Sequence, residues 1–158
     1  MGNDNLECSL SNTPSDFKLI LLGTEDGIAL LKLMMPDGSE MTVRLKGRHI
    51  KVLLVLNDAL QQDQHAITDE VARGWMTDEL IAQAYTRNDP RVIPPTPKAI
   101  ARYRAQINSL VRRATPEGFH PPKLLLTERC VGVRLTQPLI VVKLNAHRKF
   151  DSLYLSEH

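Results

Sequence analysis

The chain is expected to be α+β: an N-terminal antiparallel β-meander, three helices and a C-terminal β-hairpin. Three observations predict this. Short β-prone runs punctuated by Asp-Gly fill the segment before Gly47. Helical spacing of apolar residues then takes over, and an amphipathic basic stretch, Lys98 to Ala114, is followed by two more short β-prone runs. The 158 residues suffice for one domain with tails. Residues 1–16 are polar and read as a flexible tail, residues 17–136 as the domain, and residues 137–158 as an extension carrying one extra strand.

The meander comprises Phe17 to Leu22, Ile28 to Met35 and Met41 to Leu45. The linkers Thr24-Glu25-Asp26-Gly27 and Pro36-Asp37-Gly38-Ser39 supply tight turns. Ile50, Leu53, Leu54, Leu56, Asn57 and Leu60 then follow helical spacing and define a first helix from about Arg48 to Gln62. Thr77 is the N-cap of a second helix, with Asp78 and Glu79 in its first turn and Leu80, Ile81 and Ala84 leading to Tyr85. Thr86 to Pro97 holds four prolines and must be a stiff loop.

Thr96-Pro97, a cap followed by proline at the first helical position, opens the third helix. Ile100, Tyr103, Ile107, Leu110, Val111 and Ala114 share one side of it. Arg102, Ala105, Ser109, Arg112 and Arg113 lie broadly opposite, with Arg104, Gln106 and Asn108 on the flanks. Leu124 to Thr127 and Val131 to Leu135 form the hairpin, and Leu139 to Leu144 one further strand. Trp75 and Tyr103 read as core residues.

Net charge is +2, but it is segregated. Met1 to Pro97 carries 9 Lys/Arg against 14 Asp/Glu, a net of −5. Lys98 to His158 carries 11 against 4, a net of +7. A positive field gathered at one end of a chain suits a polyanion. The two cysteines, Cys8 and Cys130, have neither metal nor redox spacing, and the five histidines, at 49, 65, 120, 147 and 158, are scattered. There is no phosphate-cradling glycine loop and no nucleophile motif, so neither catalysis, a cofactor nor a metal is expected. No apolar run approaches the roughly 20 residues of a membrane span, and the N-terminus lacks a leader pattern. An intracellular, cytoplasmic protein is expected.

Strands, helix, helix, loop, basic helix and hairpin, in that order, make a winged helix-turn-helix. From about Phe17 to Thr136 the chain resembles the OmpR/PhoB-type winged-helix output domain of bacterial response regulators. The sharpest match is Thr127-Glu128-Arg129-Cys130-Val131-Gly132-Val133-Arg134-Leu135, which is similar to the family wing pattern Thr-Val-Arg-Gly-Val-Gly-Tyr-Arg-Leu. Ile107 to Ala114 is similar to the end of the family's recognition helix, and Met41 to Leu56 to the strand leading into its first helix. Cys130 stands where the family has glycine, and Val133 where it has an aromatic residue. The chain shows no second α/β unit with an acidic phosphorylation pocket, so control by an attached receiver is not expected.

These features point to a bacterial, phage or plasmid regulator that binds duplex DNA in a sequence-specific way. The third helix would enter the major groove, where Arg pairs with guanine and Gln or Asn with adenine. Arg102 and Ser109 on its outward face and Arg104 and Gln106 on its flanks are the candidate contacts, without a division between base and backbone readers. Lys98, Arg112 and Arg113 would hold phosphates, Thr96 and the helix N-terminus would offer backbone donors, and Arg129 at the wing tip would reach the adjacent backbone or minor groove. The resemblance further implies a contact between the loop at 86–97 and RNA polymerase, and homodimers on repeated half-sites. The competing expectations are a solvated charged face and a protein-interaction adaptor of the same shape. RNA or single-strand binding is disfavoured by an aromatic content of 4%.

Overall fold

The computed structural model describes residues 17–23, 29–66, 69, 72–87 and 91–143. The expected N-terminal tail, the turn containing Asp26-Gly27, residues 88–90 of the proline-rich loop and the chain beyond Lys143 lie outside the described residues. Three strands open the fold: β1 (Lys18–Gly23), β2 (Ala29–Met34) and β3 (Glu40–Leu45). They are followed by α1 (Gly47–Ala66), α2 (Asp78–Tyr85) and α3 (Pro97–Ala114), then β4 (Leu125–Glu128), β5 (Gly132–Leu135) and β6 (Leu139–Lys143). The architecture is α+β, with three helices against a meander-based sheet.

Period-two patterning determines which face of the meander is buried. Leu19 and Leu21 of β1, Ala29, Leu31 and Leu33 of β2, and Met41, Val43 and Leu45 of β3 all turn to the core. The register places like faces side by side, with Leu21 opposite Leu31 and Leu31 opposite Val43. Asp37 closes the turn between β2 and β3: its carboxylate accepts from the Ser39 backbone N–H at 2.9 Å and from the Ser39 hydroxyl at 2.6 Å. Gly38 there has a φ of +94°, a conformation that glycine adopts without Cβ strain. Val52, Leu53, Leu56 and Leu60 of α1 complete the layer over the sheet.

The expected last strand forms over Leu139–Lys143. It joins the sheet in parallel with β1, giving the order β3-β2-β1-β6. Leu139 aligns with Leu19 and Ile140 with Ile20, and burial of Leu139 and Val142 favours that docking. Asn57 of α1 fixes the entry. It is buried, and its Oδ1 accepts the Leu139 N–H at 2.9 Å across 82 residues of sequence.

The hairpin β4–β5 pairs Leu125 with Leu135 and Glu128 with Gly132. Besides burying Leu125, Val133 and Leu135 in the core, it is tied to the segment just before α2 by an isolated antiparallel bridge. The Met76 N–H donates to the Val133 carbonyl at 2.9 Å and the Val133 N–H to the Met76 carbonyl at 2.8 Å. Gly132 is required beside that bridge: it has a φ of +134°, and a Cβ there would collide with the Met76 carbonyl oxygen. Cys130 in the hairpin turn has a φ of +66°. The residue at the position where the resembled wing pattern carries glycine thus adopts a backbone conformation that glycine favours. Among the described residues, no helix is long and apolar enough to cross a membrane.

Replacing Asn57 with alanine leaves the Leu139 N–H buried and unpaired, which costs about 1–3 kcal/mol. Urea unfolding of Asn57→Ala should show a loss of that size, and hydrogen exchange should show faster labelling across residues 139–143. Unchanged protection there would mean that Asn57 does not hold β6.

Candidate nucleic-acid interface

The amphipathicity of α3 sets the site. Ile100, Ile107 and Val111 are buried, and Tyr103 and Leu110 are partly so. Because these residues recur on one side, Arg102, Ala105, Arg112 and Arg113 are left exposed on the other. The helix is capped as expected: the Thr96 hydroxyl oxygen accepts the Ala99 N–H at 3.1 Å, with Pro97 in the first turn. This bond places Thr96 as a cap; its side-chain oxygen is already occupied. Lys98 is exposed one residue after Pro97.

The basic face is larger than α3 alone. An open depression of about 390 Å³ is lined by Arg102, Ala105, Gln106, Ser109, Leu110 and Arg113 of α3 and by Lys46, Arg48 and His49 at the start of α1. Among the described residues no carboxylate lines it. The first turn of α1 contains no acidic residue, so the positive end of its dipole and its free N–H groups add to the Lys46 and Arg48 charges. Lys46 and Arg48 were not among the candidates drawn from the sequence. The available signal was two cations flanking Gly47 at the first residues of a helix whose opening turn has no acid.

Two α3 side chains have partners within the protein. Arg104 turns to α2, where its guanidinium makes a bidentate ion pair with Asp78, Nε at 2.9 Å and Nη2 at 2.8 Å from the two carboxylate oxygens. The pair is partly shielded, with side-chain exposures of 18% and 25%. It therefore fixes the α2–α3 crossing and leaves Arg104 little charge to offer a polyanion. Gln106 Oε1 accepts two bonds, from Arg48 Nε at 3.1 Å and from His49 Nε2 at 2.9 Å.

The remaining candidates stay available. The Arg102 guanidinium lies over the Tyr103 ring, 5.6 Å from its centroid, which orients it without removing its charge. Arg113 Nη2 reaches Ser109 Oγ at 3.5 Å one turn back. Arg112 opens instead onto a second groove of about 630 Å³ between α3 and β4, shared with Asn108, Lys123 and Thr127. Arg129 is exposed in the hairpin turn. Among the described residues no group of His, Cys, Asp or Glu could hold a metal.

His49 connects the two helices. It is 2% exposed, and its Nδ1 accepts the Lys46 N–H at 3.3 Å, closing the start of α1 as a glutamate or glutamine closes a capping box. With Nδ1 accepting, Nε2 carries the proton that it donates to Gln106. Burial holds the ring's pKa below the ordinary 6.5, with Arg48 and Lys46 pushing the same way and the Gln106 bond opposing them.

Comparison with family models, with characterised proteins and with solved structures finds no match to this chain.

The depressed His49 pKa has a testable consequence. The unfolded chain takes up the proton first, so the stability from neutral His49 is complete above pH about 6.5 and is lost as pH falls below that value through the folded-state pKa. Thermal melts from pH 7.5 to 5.5 should show a falling midpoint. His49→Gln, which keeps a neutral cap acceptor but cannot titrate, should show a shallower decline. Parallel curves for the two proteins would contradict the assignment.

Proposed function

We propose that this protein binds duplex DNA through the face formed by α3 and the start of α1, and acts as a sequence-specific transcriptional regulator. The observation that carries the reading is the convergence of Lys46, Arg48, Arg102 and Arg113, without a carboxylate, on one open depression backed by a helix N-terminus. Such a surface matches closely spaced phosphates and can release their counterions on binding. In this reading α2 and α3 are the helix-turn-helix pair, locked by Arg104 and Asp78. The hairpin β4–β5 is the wing, tethered by the Met76–Val133 bridge, and α3 is the recognition helix.

The roles divide by position. Arg102, Ala105, Gln106 and Ser109 face the major groove, where small Ala105 and Ser109 allow close approach. Lys46, Arg48, Lys98, Arg112 and Arg113 neutralise backbone phosphates, and Arg129 carries the wing to the neighbouring backbone or minor groove. A second, protein-directed contact is favoured by Val92 and Ile93 in the loop before α3, which are 39% and 87% exposed. That apolar tip is a suitable contact for RNA polymerase, or for another partner if the fold serves as an adaptor.

Fluorescence anisotropy against duplex DNA tests the reading. Replacing both Arg102 and Arg113 with alanine should weaken binding roughly 30-fold or more, at about 1 kcal/mol or more per side chain, with the fold intact. The slope of log affinity against log salt should flatten by about 0.9, for the one phosphate that Arg113 no longer neutralises. Undiminished affinity in the double variant would remove α3 from the interface, and absence of duplex binding at low salt would shift the reading to the adaptor.

A further inference from the structure

We propose that Gln106 is a donor-only reading head, set by Arg48 and His49 to recognise guanine and to refuse the paired contact that a glutamine ordinarily makes with adenine. The inference rests on the duplex-DNA reading above and deepens it.

The orientation of the Gln106 amide is set by its partners. Arg48 Nε can only donate, so the Gln106 atom 3.1 Å from it must be the oxygen. His49 makes the same demand independently. Its Nδ1 is engaged by the Lys46 N–H, which leaves Nε2 protonated and donating to Gln106 at 2.9 Å. Two donors from α1 therefore converge on one carbonyl oxygen, occupying both of its lone pairs. The amide cannot flip without turning its NH2 against two other N–H donors.

What remains to Gln106 is its amide nitrogen. It has no hydrogen-bond partner among the described residues, and the side chain lines the same depression as Arg102 and Arg113. A free glutamine reads adenine by accepting from N6 and donating to N7. Here the accepting half is already taken by the protein, so adenine would present its N6 donor to an occupied oxygen. Guanine presents two acceptors, O6 and N7, and both N–H bonds of the Gln106 amide are free to meet them. Pinning the side chain in advance also reduces the rotamer entropy lost on binding.

His49 and Arg48 are positioning residues in this scheme, because they act on the base through Gln106. Arg48→Ala frees one lone pair of Oε1, which restores an acceptor for adenine N6. Neither group needs to touch the base.

The test is selection of sites by the full chain from a randomised duplex library, repeated with Gln106→Ala and Arg48→Ala after thermal melts confirm folding. Gln106→Met, which keeps the length of the side chain, replaces the alanine variant if that one does not fold. The wild-type protein should prefer guanine at the position that Gln106→Ala makes indifferent, by at least about fivefold. Arg48→Ala should shift that same position toward adenine. Wild-type preference for adenine there would overturn the proposal. So would a Gln106 variant that leaves every base preference intact, including one that merely weakens binding to all sequences equally, as removal of a phosphate-holding group would. Failure of the wild-type chain to enrich any duplex would overturn the DNA reading itself, and this proposal with it.

Discussion

The organisation of this protein depends on the way α3 divides its residues between core and solvent. Ile100, Ile107 and Val111 are drawn into the space between the meander and α1, each contributing about 1.5–3 kcal/mol by leaving water. The helix cannot rotate without exposing them. Once that stripe is buried, Arg102, Arg112 and Arg113 have no alternative but the surface, and the basic face follows from apolar packing. The same docking brings α3 beside the first turn of α1, so two positive features that are remote in sequence share one depression.

Polar locks then refine what hydrophobic packing places only coarsely. Arg104 and Asp78 fix α2 against α3 through two parallel bonds, Asn57 receives the first N–H of β6, and His49 joins the cap of α1 to Gln106. Each lock lies at or near the core, where a misplaced polar group would be left unpaired at a cost comparable to a sizeable part of a domain's net stability. They select one crossing angle, one strand entry and one amide orientation from a set that packing alone leaves open. The chemistry of the proposed interface depends on these choices as much as on its cations.

Local signals in the chain were read directly. Thr77 and Thr96 cap the helices that they precede, Asp37-Gly38 makes the turn between β2 and β3, and the stripe through Ile100, Ile107 and Val111 is the buried one. Relations between distant segments were harder. Nothing near residues 139–143 states that they pair in parallel with β1, because that choice depends on Asn57 and on an open sheet edge. Arg104 resembles its neighbours in sequence until Asp78 is seen opposite it. Gln106 reads as a free amide until Arg48 and His49 of α1 are found on its oxygen. Lys46 and Arg48 lie in a half of the chain whose net charge is negative, so charge segregation by residue number concealed them.

In the proposed reading α3 and the start of α1 form one duplex-binding surface. Amide chemical-shift mapping of the labelled protein, titrated with duplex DNA at moderate salt, tests it most directly. Perturbations should concentrate at residues 46–49, along the outward face of α3 and at the hairpin turn around Arg129, with the sheet β3-β2-β1-β6 largely silent. Shifts confined to the sheet, or to the apolar tip at Val92 and Ile93, would contradict it.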